Sequence, residues 1–112
     1  MGLETFSQQL ETPEDLLLLT SGDIIETGTL ARGLDGPMLV SKDSPQGKIR
    51  VIQRLSPVEI FKMDLTPDAV RVENGQLKFD PCQGGIRVNI MGSIDWVEYS
   101  RLMGELQAAG LE

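Results

Sequence analysis

Asn74-Gly75, set between Val-Arg-Val-Glu and Gln-Leu-Lys-Phe, constrains this chain more than any other feature. Both residues tolerate positive φ, so the pair suits a two-residue type I′ turn whose twist matches two antiparallel strands. Such a turn sets Glu73 opposite Gln76, Val72 opposite Leu77, Arg71 opposite Lys78 and Val70 opposite Phe79. Side chains alternate across a strand. Val70, Val72, Leu77 and Phe79 therefore share an apolar face, and Arg71 and Lys78 share a charged one.

The same alternation recurs at Asp23–Ala31, Met38–Lys42, Lys48–Leu55 and Ile86–Met91, between turns rich in Gly, Pro and Asp. Ser56–Met63 reads two ways. Ser56, Pro57 and Glu59 form a capping box for a helix, whereas Val58/Ile60 and Phe61/Met63 fit an extended chain, and the strand is preferred. Two helices frame these segments. The first opens at Thr12-Pro13-Glu14-Asp15, a hydroxyl N-cap with proline at N1 and acids in the positive first turn. It buries Leu16 to Leu19 and ends at Gly22. The second runs from Ser93 to Ala109 with Gly110 as its stop. Trp96, Tyr99, Met103 and Leu106, widened by Leu102, make its buried stripe and put Trp96 in the core. Gly104 within it costs ~1 kcal/mol relative to Ala unless the helix packs closely there.

The expected fold is α+β: a single antiparallel β-sheet of about five to six strands, curved or an open barrel, with a short N-terminal helix and a C-terminal helix packed on it. The 112 residues, 40% of them hydrophobic, suit one domain over 1–112, with residues 1–11 a candidate flexible acidic arm. Leu16 to Leu19 is the longest apolar run, far short of a membrane span, and the N-terminus has no basic leader region. A cytoplasmic location without membrane insertion is the expectation. Leu111-Glu112 reads equally as native sequence or as a cloning remnant.

Composition removes several chemistries. Histidine is absent and Cys82 is the only cysteine, so no internal disulfide, Cys/His zinc cage or histidine-activated nucleophile can be built. Cys82 lies in Pro81-Cys82-Gln83-Gly84-Gly85 without a neighbouring group to lower its pKa except Arg87. Gly84-Gly85 lacks the helix start of a phosphate loop. Glu14/Asp15 and Asp64/Asp68 read as caps and turns, not calcium ligands. Met38, Met63, Met91 and Met103 read as core fillers. No enzyme, cofactor or metal is expected.

The charge map is more specific than its total of −7. Residues 1–31 carry six acids and no base, whereas residues 32–92 carry nine bases against seven acids, and residues 93–112 are acidic again. If Ile86–Met91 extends the hairpin into a meander, Ile86, Val88 and Ile90 point inward and Arg87 joins Arg71 and Lys78 in one outer row. Lys48, Arg50 and Arg54 line a further strand. Arg71, Lys78, Arg87, Lys48, Arg50 and Arg54 are thus the candidate docking residues for a protein partner with an acidic patch. The competing readings are a solvated face neutralised by nearby acids, and a site for phosphate or another anion. Net acidity and few aromatics disfavour nucleic acid. The expected function is a non-catalytic interaction module: a small adaptor, assembly factor, inhibitor or regulatory subunit.

Near the C-terminus, Ile86-Arg-Val-Asn-Ile-Met followed by Asp95-Trp96-Val-Glu-Tyr99-Ser-Arg101-Leu-Met103 and Ala109-Gly110-Leu111 resembles the strand-then-Trp-led-helix ending of a small photosystem II assembly-factor family. The middle of the chain departs from that family's pattern, so no membership is assigned.

Overall fold

The structure, a computed structural model, describes residues 10–29, 36–73, 76–80, 83–91 and 96–111. A 3-10 helix (Pro13–Leu18) leads into β1 (Ile24–Thr29), β2 (Gly36–Val40), β3 (Ile49–Ser56), β4 (Glu59–Leu65), β5 (Val70–Glu73), β6 (Gln76–Phe79) and β7 (Ile86–Asn89), and α1 (Trp96–Ala108) ends the chain. The class is α+β, with α1 packed on one sheet. The sheet has seven strands in the order β5-β6-β1-β2-β3-β4-β7. Ser56–Met63 contributes its second half to β4, after a tight turn at Pro57-Val58.

Two expectations about the sheet are corrected. It is mixed rather than antiparallel throughout, because β6 pairs in parallel with β1, Thr27 opposite Leu77. β7 does not extend the β5–β6 hairpin, since β1 already occupies the other side of β6; it pairs with β4 at the far edge, Val88 opposite Ile60. The β5–β6 register is the expected one, Arg71 opposite Lys78 and Val72 opposite Leu77. The Asn74-Gly75 turn itself lies outside the described residues.

The sheet is rolled. In a flat sheet β4 and β6 would stand about 19 Å apart, four spacings of about 4.8 Å. Instead the rings of Phe61 and Phe79 stack at 6.4 Å between centroids. Rolling also lets the chain pass from Leu65 to Val70, on strands five positions apart, through Thr66–Ala69. A flat sheet would need about 24 Å there, and five residue steps reach at most about 18 Å. The sheet is open, with β5 and β7 as its edges.

Each face carries its own core. Met38, Val51, Met63, Leu77 and Phe79 fill the concave side, closed by Leu10, Leu16 and Leu19 from the N-terminal segment. Leu39, Ile52, Ile60 and Val88 receive Tyr99, Leu102 and Leu106 of α1 on the convex side. The first helix is 3-10, not α. Its three-residue repeat puts Leu16 and Leu19 on the core side and leaves Leu17 and Leu18 outward. Gly22, at φ +94°, serves the turn into β1 rather than a helix cap. Gly110 does stop α1: at φ +79° it lets the Leu111 N–H reach the Leu106 carbonyl at 2.8 Å, the Schellman pattern. Leu111 packs on the convex core and is part of the fold. Ser93 and Glu112 lie outside the described residues, as do residues 1–9 of the candidate arm.

Candidate interaction surface

The six cations singled out in the sequence do not form one surface. Arg71 and Lys78 oppose each other on the convex side of the β5–β6 edge, and Glu73 bridges both at 3.5 and 3.7 Å. Register places Arg87 opposite Phe61, on the concave side of the other edge, where Glu59 lies 3.7 Å away. The expected Arg71–Lys78–Arg87 row is therefore not assembled. Arg50 makes a two-pronged pair with Asp64 across β3 and β4, Nε to Oδ1 at 2.6 Å and Nη2 to Oδ2 at 3.1 Å. That pair holds the Asp64 carboxyl below its ordinary pKa and the Arg50 guanidinium above its own, chiefly through the hydrogen bonds. Arg54 donates to the Ser56 carbonyl at 3.2 Å. Lys48 is exposed and makes no ion pair among the described residues.

Sequence reading missed how much charge fastens α1. Lys62 on β4 pairs with Glu98, and Arg101 pairs with Asp43. The Glu105 carboxylate accepts from the Ser41 hydroxyl at 3.2 Å and the Lys42 N–H at 3.1 Å, and lies 3.4 Å from Arg101. Ser41 is fully buried. A groove of about 540 Å³ runs beside this clamp, bordered by Gly22, Lys42, Arg101, Gly104 and Ala108. Among the described residues no group of three or more His, Cys, Asp or Glu is placed to hold a metal ion. Cys82 lies outside the described residues.

An apolar end is exposed instead. Trp96 is 57% exposed rather than in the core, with Val97 at 60% and Met91 at 78%. The Tyr99 hydroxyl donates to the Pro57 carbonyl at 2.7 Å, which fixes α1 over the β3–β4 turn. One turn earlier, Trp96 is left mostly open to solvent. The Ile90 N–H donates to the Val58 carbonyl at 2.8 Å, bringing the end of β7 to the same turn. Val58, Ile90, Met91, Trp96 and Val97 thus gather at one end of the molecule, all exposed. Ile86, 54% exposed, continues the apolar surface along β7. The helical periodicity around Trp96 was visible in the sequence; its exposure was not.

No protein-family model, curated protein or solved structure matches this chain. Among the described residues no helix is long and apolar enough to cross a membrane.

Proposed function

We propose that this chain is a non-catalytic protein-interaction module, an adaptor, assembly factor, inhibitor or regulatory subunit of the cytoplasm. The observation that supports it is the exposed apolar end around Trp96. Tryptophan is a favoured hot-spot residue, and contiguous apolar exposure of this kind marks docking surfaces.

The alternative, an anion-binding module, has less support. Arg50, Arg71, Lys78 and Arg87 each already have a carboxylate partner. Trp96 is the only tryptophan, so it reports docking directly. A purified partner first captured from native extract should shift its emission to the blue, and Trp96→Ala should weaken binding by at least about tenfold, the 1.4 kcal/mol scale of a modest hot spot. Unchanged affinity in Trp96→Ala would remove this surface. Turnover of any substrate abolished by Cys82→Ala would remove the non-catalytic reading.

A further inference from the structure

The two edges of the sheet differ in a way that selects a partner. β5 carries the charged Arg71 and Glu73 on its convex side, and the N-terminal 3-10 helix packs against its concave side. Charge and cover of this kind protect an edge from strand addition. On β7 the convex-side positions are Ile86 and Val88, followed by Ile90, and the ladder continues to Ile90 through its bond to Val58. Among the described residues nothing pairs with the outer side of β7. Since the Ile90 N–H points toward β4, those of Val88 and Ile86 do too, and the backbone groups of Arg87 and Asn89 point outward.

We infer that β7 pairs antiparallel with β7 of a second copy of this chain, about a two-fold axis through Val88. This deepens the interaction-module reading by naming the partner of its apolar end. Three features of the strand fit that register. An antiparallel pair must match residues on the same face, so the axis passes through a residue rather than between two. Centred on Val88, the outward N–H and C=O groups of Arg87 meet those of Asn89 in the other copy, giving two hydrogen-bonded pairs. Ile86 then faces Ile90 of the other copy twice, in the closer, non-hydrogen-bonded geometry.

Charge separates this register from its neighbours. A centre at Arg87 would set the two arginines directly against each other. A centre at Asn89 would require the Met91 N–H, which already donates to Asn89 Oδ1 at 2.7 Å. The Val88 centre avoids both. Because the axis is perpendicular to the sheet, both α1 helices lie on the same side. The first turn of each, with Trp96 and Val97, then comes beside Ile86 of the other copy. The interface is apolar on the convex side, carries Arg87 and Asn89 on the concave side, and is backbone-bonded between two chains of net charge −7, so added salt strengthens it by screening their repulsion. A contact steered by opposite charges weakens with salt instead.

The test uses the full chain carrying Cys82→Ser, with Ile86→Cys on one preparation and Ile90→Cys on another. Within one copy these positions are about 13 Å apart along the strand, too far for a disulfide. Across the two-fold they are direct neighbours. Oxidation of the mixture should give covalent dimer, and either preparation alone should give at least about tenfold less. Sedimentation equilibrium of the unmodified chain should show dimer increasing from low to high salt. Ile86→Lys should raise the dimer dissociation constant at least about tenfold with an unchanged circular dichroism spectrum. The inference fails if the chain stays monomeric to millimolar concentration, or if either single-cysteine preparation cross-links as well as the mixture. A monomer that still loses a heterologous partner on Trp96→Ala would overturn the dimer and leave the interaction module standing.

Discussion

At the residue scale, neighbouring positions of α1 carry very different energies. Leu102 is fully buried between α1 and the sheet, so Leu102→Ala should cost about 2–5 kcal/mol. Trp96→Ala, six residues earlier and mostly exposed, should stay within about 0.5 kcal/mol of the parent chain. Urea denaturation of both variants checks the contrast, and a Trp96→Ala loss of core size would return Trp96 to the interior. Asp64 governs part of the acid response. Arg50 lowers its pKa in the folded chain below the unfolded value of about 3.9, so the folded state binds its proton less readily. The stability this contributes is present above the unfolded pKa and is lost as pH falls through the folded one. Asp64→Asn should therefore be less stable at neutral pH and show a flatter decline below about pH 5 in thermal midpoints. A decline as steep as the parent's would assign the acid response to other carboxylates.

At the element scale, Gly104 is the clearest handle. A methyl group added there meets no atom within 4 Å. Close packing therefore does not explain the glycine, and Gly104→Ala should stabilise the chain by up to about 1 kcal/mol through helix propensity alone. A destabilised variant would show that the groove beside α1 depends on an open floor. The strands and α1 were legible because their signals are local: alternation, an Asn-Gly turn, a glycine stop with positive φ. The 3-10 form of the first helix was not, because Pro13 and the acidic first turn suit an α start equally well; burial of Leu16 and Leu19 at a spacing of three decided it. The candidate site was less legible still. Arg71 and Lys78 were placed correctly from one turn, but Arg87 was assigned by assuming that consecutive strands are neighbours. Pairing β7 with β4 is a long-range choice that depends on β1 having sealed β6. The clamp at Glu105 joins Ser41 and Lys42 to a helix more than sixty positions later, and no spacing rule reaches that far.

At the scale of the whole molecule, the position of β7 makes a prediction about independence. Lys78, on the strand next to the β5 edge, and Arg87, on the β7 edge, lie on opposite faces of the sheet. The stability effects of Lys78→Gln and Arg87→Gln should add to within about 0.3–0.5 kcal/mol in a double-mutant cycle, as for distant sites. Lys78→Gln alone should change little, since Glu73 keeps Arg71 as a partner. A coupling well above that range would restore the single cationic row. The parallel contact between β1 and β6 also has a temporal consequence. β2, β3 and β4 can assemble on β1 as they leave the ribosome, each next to the strand made before it. The other edge of β1 has no partner until Gln76–Phe79 is synthesised, because Leu77 follows its register mate Thr27 by fifty residues. For roughly 2.5–10 s at ordinary elongation rates, the nascent chain carries an open strand edge in the middle of its future sheet. Translation past the β5–β6 hairpin, rather than completion of the early meander, is the step at which β1 stops needing protection from neighbouring chains; the outer edge of β4 waits longer still, for β7.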